Sequence, residues 1–242
     1  MARICSIHQP SVWPFLGRFD KIVRSDVFVS LDDVQYVKNE FKNRNRLFLN
    51  SVKSPQRADV SWLTLPVRVE TMAQTIRETR VTQVPQTFRK HLATLQQAYG
   101  RAPAFAEVWP AVEEVYRKFE WEDLRLADIN EAMERMAMEL LEIKTEWFGA
   151  ASQITEKSSE PTQRLIDICK HVGADTYLAG AGGQTYMKVE EFERQGIKVI
   201  WQEWHPAPYP QIHSPGQFVP YLSCLDLLFN CGTESKNHFQ SN

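Results

Sequence analysis

The 242 residues predict an α/β fold: a mostly parallel sheet of Rossmann-like βαβ units with flanking helices, plus a helical middle segment. Two stretches carry that prediction. Near the start, a short apolar run (Arg3 to Ile7), a helically spaced set (Phe15, Leu16, Phe19, Ile22, Val23) and a second apolar run (Asp26 to Leu31) follow one another within about 30 residues, the length of a βαβ unit. Further along, Thr176 to Ala179 enters Gly180-Ala-Gly-Gly183, and a helix over Val189 to Gln195 and a strand over Val199 to Gln202 follow. Each crossover of this kind joins parallel strands and is right-handed as a rule. Both units carry polar loops at strand ends, so both are expected in one sheet.

The remaining elements follow in order. The first strand stops at His8-Gln9-Pro10, where Pro10 and Pro14 supply no backbone donor. The second strand runs into Asp32-Asp33-Val-Gln-Tyr and then a basic, amide-rich loop holding Lys38, Lys42, Asn43, Arg44, Asn45 and Arg46. Ser54 to Asp59 reads as a loop and Trp62 to Val69 as a strand. Thr87 to Tyr99 is an amphipathic helix with Phe88, Leu92, Leu95 and Tyr99 on one stripe. A second helix is predicted over Asp128 to Trp147, with Asp128 as cap, Glu131 as its capping-box partner and methionines as core filler. Thr155 to Pro161 is a polar loop, Thr162 to Val172 a helix, His205 to Gln217 irregular, Val219 to Phe229 a last helix and Thr233 to Asn242 a frayed tail. One domain over residues 1–242 accounts for these elements, with a helical insertion at roughly 85–150.

Bulk composition narrows the function classes. Hydrophobic residues make up 43% and charged residues 24%, the balance of a folded globular chain. The net charge of -2 lacks the basic excess of a protein that grips nucleic acid. No apolar run approaches the ~20 residues needed to span a membrane. Cys5, Cys169, Cys224 and Cys231 form no CxxC pair and no zinc-spaced pattern, so free thiols, no metal site and a cytoplasmic location are expected.

In open α/β sheets, ligands gather beyond the carboxyl ends of strands. His8 and Asp32-Asp33 each follow a predicted strand there. His8 fits an acid/base or phosphate-donor role, the plainer alternative being a histidine that ties down its loop. Adjacent strand residues face opposite ways, so one of Asp32 and Asp33 can act while the other caps the turn. Arg44 offers a planar fork for a carboxylate or phosphate, with Asn43 and Asn45 beside it; otherwise the segment is a solvated turn. Gly182 and Gly183 permit close backbone approach to an anion, with Gln184 and Tyr186 adding polar reach, though no Lys-Ser/Thr of a P-loop follows. Cys224 as a nucleophile with His205 or His213 as base is a minor alternative, and Asp226 is either paired in the core or aimed at a site.

These pieces resemble the WbqC-like family. The matching residues are His8-Gln9-Pro10, Pro14-Phe15-Leu16-Gly17, Phe19-Asp20-Lys21-Ile22, Leu31-Asp32-Asp33-Val34-Gln35-Tyr36 and Asn43-Arg44-Asn45, then Gly182-Gly183 with Tyr186, Tyr209-Pro210-Gln211 and Asp226-Leu227-Leu228-Phe229-Asn230. Where the family pattern has Ser-Gly, this chain has Ala179-Gly180. The resemblance implies a biosynthetic role in modifying a sugar or a carrier-bound group, in bacterial polysaccharide (O-antigen) or natural-product assembly. The candidate site is His8, Asp32 and Asp33 for the chemistry, with Gln9, Asn43, Arg44, Asn45, Gly182, Gly183, Tyr186 and Gln211 expected to contact a small-molecule or carrier-bound substrate. The leading expectation is a transferase for an activated acyl, aminoacyl or sugar group, with a carrier protein as a partner to test. It names no cofactor. A HIGH-like nucleotidyltransferase is the first alternative, since strand, histidine and helix follow in that order, although Ser11, Val12 and Trp13 stand where the second histidine would be. A non-catalytic scaffold in a biosynthetic cluster is the other.

Overall fold

The computed structural model describes residues 2–49, 59–119, 123–213 and 217–239. In chain order the elements are β1 (Ile4–His8), α1 (Leu16–Val23), β2 (Val27–Ser30), β3 (Arg44–Leu49), β4 (Asp59–Thr64), β5 (Val67–Arg68), β6 (Arg80–Val81), α2 (Val84–Tyr99), α3 (Phe105–Arg117), α4 (Leu126–Leu140), β7 (Glu146–Ala150), α5 (Pro161–His171), β8 (Thr176–Ala179), α6 (Val189–Arg194), β9 (Lys198–Trp201) and α7 (Cys224–Cys231), with short 3-10 turns at Ala151–Gln153, Ala181–Thr185 and Gly232–Phe239. The chain divides into two compact units. The first holds Met1–Gln9, Gly17–Val34 and Lys144–His205, and the second holds Pro10–Leu16, Gln35–Ile143 and Pro206–Asn242.

The first unit is an all-parallel five-stranded sheet in the order β7-β2-β1-β8-β9, so the two predicted βαβ units do share one sheet. Every residue of β2 and β8 is buried, which is why both read as unbroken apolar runs and not as alternating ones. Cys5, Ile7, Val27, Val29, Tyr177 and Ala179 turn to one face and meet Leu165, Ile166, Cys169 and Phe192 from α5 and α6. Ser6, His8, Phe28 and Ser30 alternate with them and turn to the other face.

The second unit is built on the antiparallel hairpin β3–β4, with Arg44 opposite Thr64 and Leu49 opposite Asp59. α2 and α7 contact β3, and α3 contacts α4 and α7. Trp13 lies in this core, wholly buried, and its indole N–H donates to the Tyr116 hydroxyl at 2.8 Å.

Several expectations are corrected. Asn43 to Arg46 is not a basic loop: Arg44 opens β3, whose partly exposed Arg44 and Arg46 alternate with buried Asn45 and Leu47. The helix expected over Asp128 to Trp147 spans Leu126–Leu140. Glu142 adopts a left-handed φ of 54°, and the Ile143 N–H closes back onto the Met138 carbonyl at 2.9 Å, so the helix stops in a Schellman-type turn without a glycine. Trp147 then lies in β7. Asp128 does not cap α4, whose N-cap is Arg125, but pairs with Arg77 at 2.5 Å. The last helix starts at Cys224, because Tyr221 holds a φ of 60° and the Ser223 hydroxyl accepts from Leu225 N–H as the cap. The strand expected over Trp62 to Val69 splits into β4 and the two-residue β5. Gly232–Phe239 forms a 3-10 turn instead of fraying, with Ser235 buried against Leu227. α3 was not foreseen. The expected loop at Ser54 to Asp59 lies outside the described residues up to Arg57-Ala58, and Asp59 opens β4.

Candidate functional site

In the first unit, β1 connects to β2 on one side and β8 connects to β9 on the other. Counted in chain order within this sheet, the strands lie third, second, first, fourth, fifth, and the direction of winding reverses between β1 and β8. Doubly wound sheets bind ligands beyond the carboxyl ends of the strands at this reversal. His8 and Gln9 leave β1 there, and Gly180 to Gly183 leave β8 there.

His8 is the last residue of β1 and is half-buried. Its Nδ1 lies 3.1 Å from the Gln9 carbonyl oxygen. His8 stands in register with Ser30, whose side chain is fully buried and whose Oγ has no hydrogen-bond partner among the described residues. The β1–β8 ladder runs from Ile4–Thr176 to Ser6–Leu178. Just past it, the Lys21 ammonium donates to the Ile7 carbonyl at 2.9 Å, with the Tyr177 ring centroid 5.6 Å away. One helical turn earlier, the Arg18 guanidinium donates to the Gln9 carbonyl. Arg18 and Lys21 are 2% and 3% exposed. Burial lowers the Lys21 pKa to about 7, the charge of Arg18 pushes it the same way, and the Cys5 and Cys169 thiols oppose them. Asp20, also buried, accepts from the Gln202 amide at 2.7 Å. Sequence reasoning passed over Arg18 and Lys21 because charges on a short helix usually face solvent. The available signal was their interleaving with Phe19 and Ile22, which are wholly buried.

The other predicted residues of this unit divide. Gly182 and Gly183 sit in the 3-10 turn Ala181–Thr185. Neither adopts a positive φ. Gly183 is needed for close approach: a Cβ there would fall 2.6 Å from the Met187 sulfur and 3.2 Å from the Trp201 ring. A Cβ on Gly182 would meet open space. Tyr186 is 58% exposed. Asp32 is buried and accepts from Ser152 twice, from its N–H at 2.9 Å and its hydroxyl at 2.7 Å. Asp33 pairs with Lys157 at 2.9 Å and lies 3.9 Å from Arg164. Both carboxylates thus brace the chain that follows β7.

Asn43, Arg44, Asn45 and Gln211 belong to the second unit. The Asn43 amide donates to the Leu65 carbonyl at 2.9 Å, and the Asn45 amide donates to the carbonyls of Val12 and Trp13 at 3.1 and 2.7 Å. The Arg44 guanidinium stacks 4.3 Å over the Trp62 ring and donates to the Asn39 carbonyl at 2.5 Å. Gln211 donates to Asp226 at 2.8 Å, as do the hydroxyls of Tyr99 and Tyr209, each at 2.9 Å, so Asp226 is paired within the core. Burial pushes the Cys224 thiol up, well away from thiolate character. A recess of about 420 Å³ lined by Arg68, Arg80, Gln83, Arg89 and Asp123 also lies in this unit, and none of the residues singled out from the sequence lines it. Among the described residues no three His, Cys, Asp or Glu side chains gather closely enough to hold a metal ion, and no helix is long and apolar enough to cross a membrane.

An uncharacterised protein of Mycobacterium tuberculosis, Rv1507c, is 31% identical over 237 residues, covering 97% of this chain and 96% of that one. No solved structure matches the chain. The model of the WbqC-like protein family matches residues 9–238, from the residue after His8 nearly to the end of the described chain, and the protein belongs to that family.

Proposed function

We propose that this protein is a biosynthetic transferase that moves an activated acyl, aminoacyl or sugar group, with His8 handling the proton at the winding reversal of the parallel sheet. One observation carries the reading: the sheet reverses direction between β1 and β8, and the half-buried imidazole at the end of β1 is flanked by two carbonyls held by the buried side chains of Lys21 and Arg18. A histidine that only tied down its loop would not call for a buried arginine and a buried lysine beside it, since burying either basic group carries a desolvation penalty. Gln9, Gly182 and Tyr186 are the proposed substrate contacts of this unit. Arg44, Asn43, Asn45 and Gln211 are proposed contacts on the family resemblance alone, because their own hydrogen bonds serve the second unit. The test is a panel of acyl thioesters, aminoacyl adenylates and nucleotide-sugars, each offered with hydroxyl and amine acceptors. Donor consumption is followed by mass spectrometry and binding by thermal shift. One donor class is expected to be consumed, and His8→Ala to lower that turnover by roughly 10²–10⁴-fold while melting near the parent. If His8→Ala instead melts far below the parent with unchanged specific activity, the histidine is structural.

A second reading, a nucleotide-binding adenylate-forming enzyme, draws support from the same strand order, which matches the first five positions of the dinucleotide-binding sheet. Stabilisation by ATP without any acyl or sugar donor would favour it.

A further inference from the structure

We infer that Arg18 is a positioning residue that fixes the tautomer of His8, leaving Nε2 as a base toward an acceptor that carries a hydroxyl or amine. The inference rests on the transferase reading and deepens it by naming the chemistry of the acceptor. A carbonyl oxygen has no hydrogen to give, so the 3.1 Å contact between Nδ1 and the Gln9 oxygen is a hydrogen bond only when Nδ1 carries the proton. The neutral ring then has its lone pair on Nε2. The Gln9 oxygen accepts from Arg18 as well, and arginine stays charged at all working pH values, so the direction of that carbonyl is held constantly. Lys21 holds the Ile7 carbonyl on the other side of His8, so α1 grips the backbone on both sides of the imidazole.

The tautomer selects the chemistry. A histidine that donates to a phosphate needs a proton on Nε2, whereas this one accepts there. In the transfer step His8 Nε2 takes the proton from the acceptor O–H or N–H. The electron pair released on that oxygen or nitrogen forms the bond to the carbonyl or anomeric carbon of the activated donor. The bond from that carbon to the leaving group breaks, and the leaving group departs with the electron pair. The imidazolium then returns its proton to the leaving group or to solvent.

The second unit supplies an internal control. His91 Nε2 lies 2.9 Å from the Thr64 carbonyl and its Nδ1 3.2 Å from the Tyr116 hydroxyl, so by the same reasoning His91 carries its proton on Nε2. Long-range proton–nitrogen correlation spectra of the full-length ¹⁵N-labelled protein, above the pH at which the histidines charge, read both rings, with His8→Gln and His91→Gln giving the assignments. The expected result is the Nδ1–H form for His8 and the Nε2–H form for His91. Arg18→Met should move His8 toward the Nε2–H form and leave His91 unchanged, and Arg18→Lys should restore most of the parent pattern. An Nε2–H form for His8 in the parent protein overturns the inference whether or not the Arg18 variants fold, and so does an unchanged His8 spectrum in a folded Arg18→Met. Neither result bears on donor consumption, so the transferase reading stands or falls separately.

Discussion

The regions around His8 and His91 solve the problem of buried polarity in opposite ways. Around His91 the network is closed: the Trp13 indole donates to the Tyr116 hydroxyl, that hydroxyl meets His91 Nδ1, and His91 Nε2 ends on the Thr64 carbonyl. Burial lowers the His91 pKa to about 4, so the ring is neutral at every working pH. Asp226, in the same unit, is likewise enclosed by three neutral donors. Around His8 the arrangement is uneven. Two buried basic side chains, Arg18 and Lys21, donate to backbone carbonyls, while the hydroxyls of Ser6 and Ser30 on that face of the sheet have no hydrogen-bond partner among the described residues. A closed network specifies a fold, and an uneven one is where binding or catalysis finds groups to use.

The largest effect is expected where the network is most complete. Asp226→Ala would take the shared acceptor away from the Tyr99 and Tyr209 hydroxyls and the Gln211 amide, with Tyr99 and Gln211 buried and Tyr209 half-buried. Removing one partner from such a cluster costs about 3 kcal/mol or more, measured as a fall in the urea midpoint at constant slope. A loss below about 1 kcal/mol would mean the cluster opens easily, and the contrast with the His8 region would weaken.

How much of this was legible in the sequence depends on the range of the forces involved. β1, α1, β2, β8, α6 and β9 were readable because their apolar runs and helical spacing are local signals, and the single sheet followed from the two βαβ units. β7 was hidden because the left-handed turn at Glu142 uses no glycine, so nothing local in the sequence separates α4 from Trp147. β3 was hidden for a different reason. Arg44, Asn45 and Arg46 are poor strand formers, and what holds them there is long-range: pairing with Leu63 and Trp62, and the Asn45 amide on the carbonyls of residues 12 and 13. In the candidate site, the position of His8 at a strand end was legible. Its support by Arg18 and Lys21 was not, because only the packed sheet reveals that those charges point inward.

An intermediate effect, dependent on pH, is expected at Lys21. Burial first, and then the charge of Arg18, bring its pKa from 10.5 to about 7, while Cys5 and Cys169 push the other way. The unfolded chain therefore holds a proton that the folded chain has released between about pH 7 and 10.5. Stability from this group rises with pH across that window, by up to about 1.4 kcal/mol per pH unit, and is flat below it, where both states are charged. Lys21→Met should remove that rise. The check is the difference in unfolding free energy between parent and variant at pH 6, 7, 8 and 9, in which contributions from the other groups cancel. A difference that does not change with pH would place the Lys21 pKa near its ordinary value, and the crowding of charge beneath His8 would be less than the geometry suggests.

The smallest effect on stability is expected at Ser30, and it separates a site residue from a scaffold residue. A buried serine that anchors the fold loses its hydrogen bond on conversion to alanine, and the protein is destabilised by about 1 kcal/mol or more. Ser30 is fully buried at the end of β2, level with His8, and its hydroxyl has no hydrogen-bond partner among the described residues, so the truncation removes a desolvated group and leaves no broken bond behind. Ser30→Ala should therefore melt at or slightly above the parent. If the hydroxyl serves the acceptor beside His8, the same variant should raise KM for that acceptor while kcat falls less. A clear loss of stability in Ser30→Ala would mean that the hydroxyl has an anchoring role in the free protein, and the face of the sheet that carries His8 would then be as closed as the core around His91.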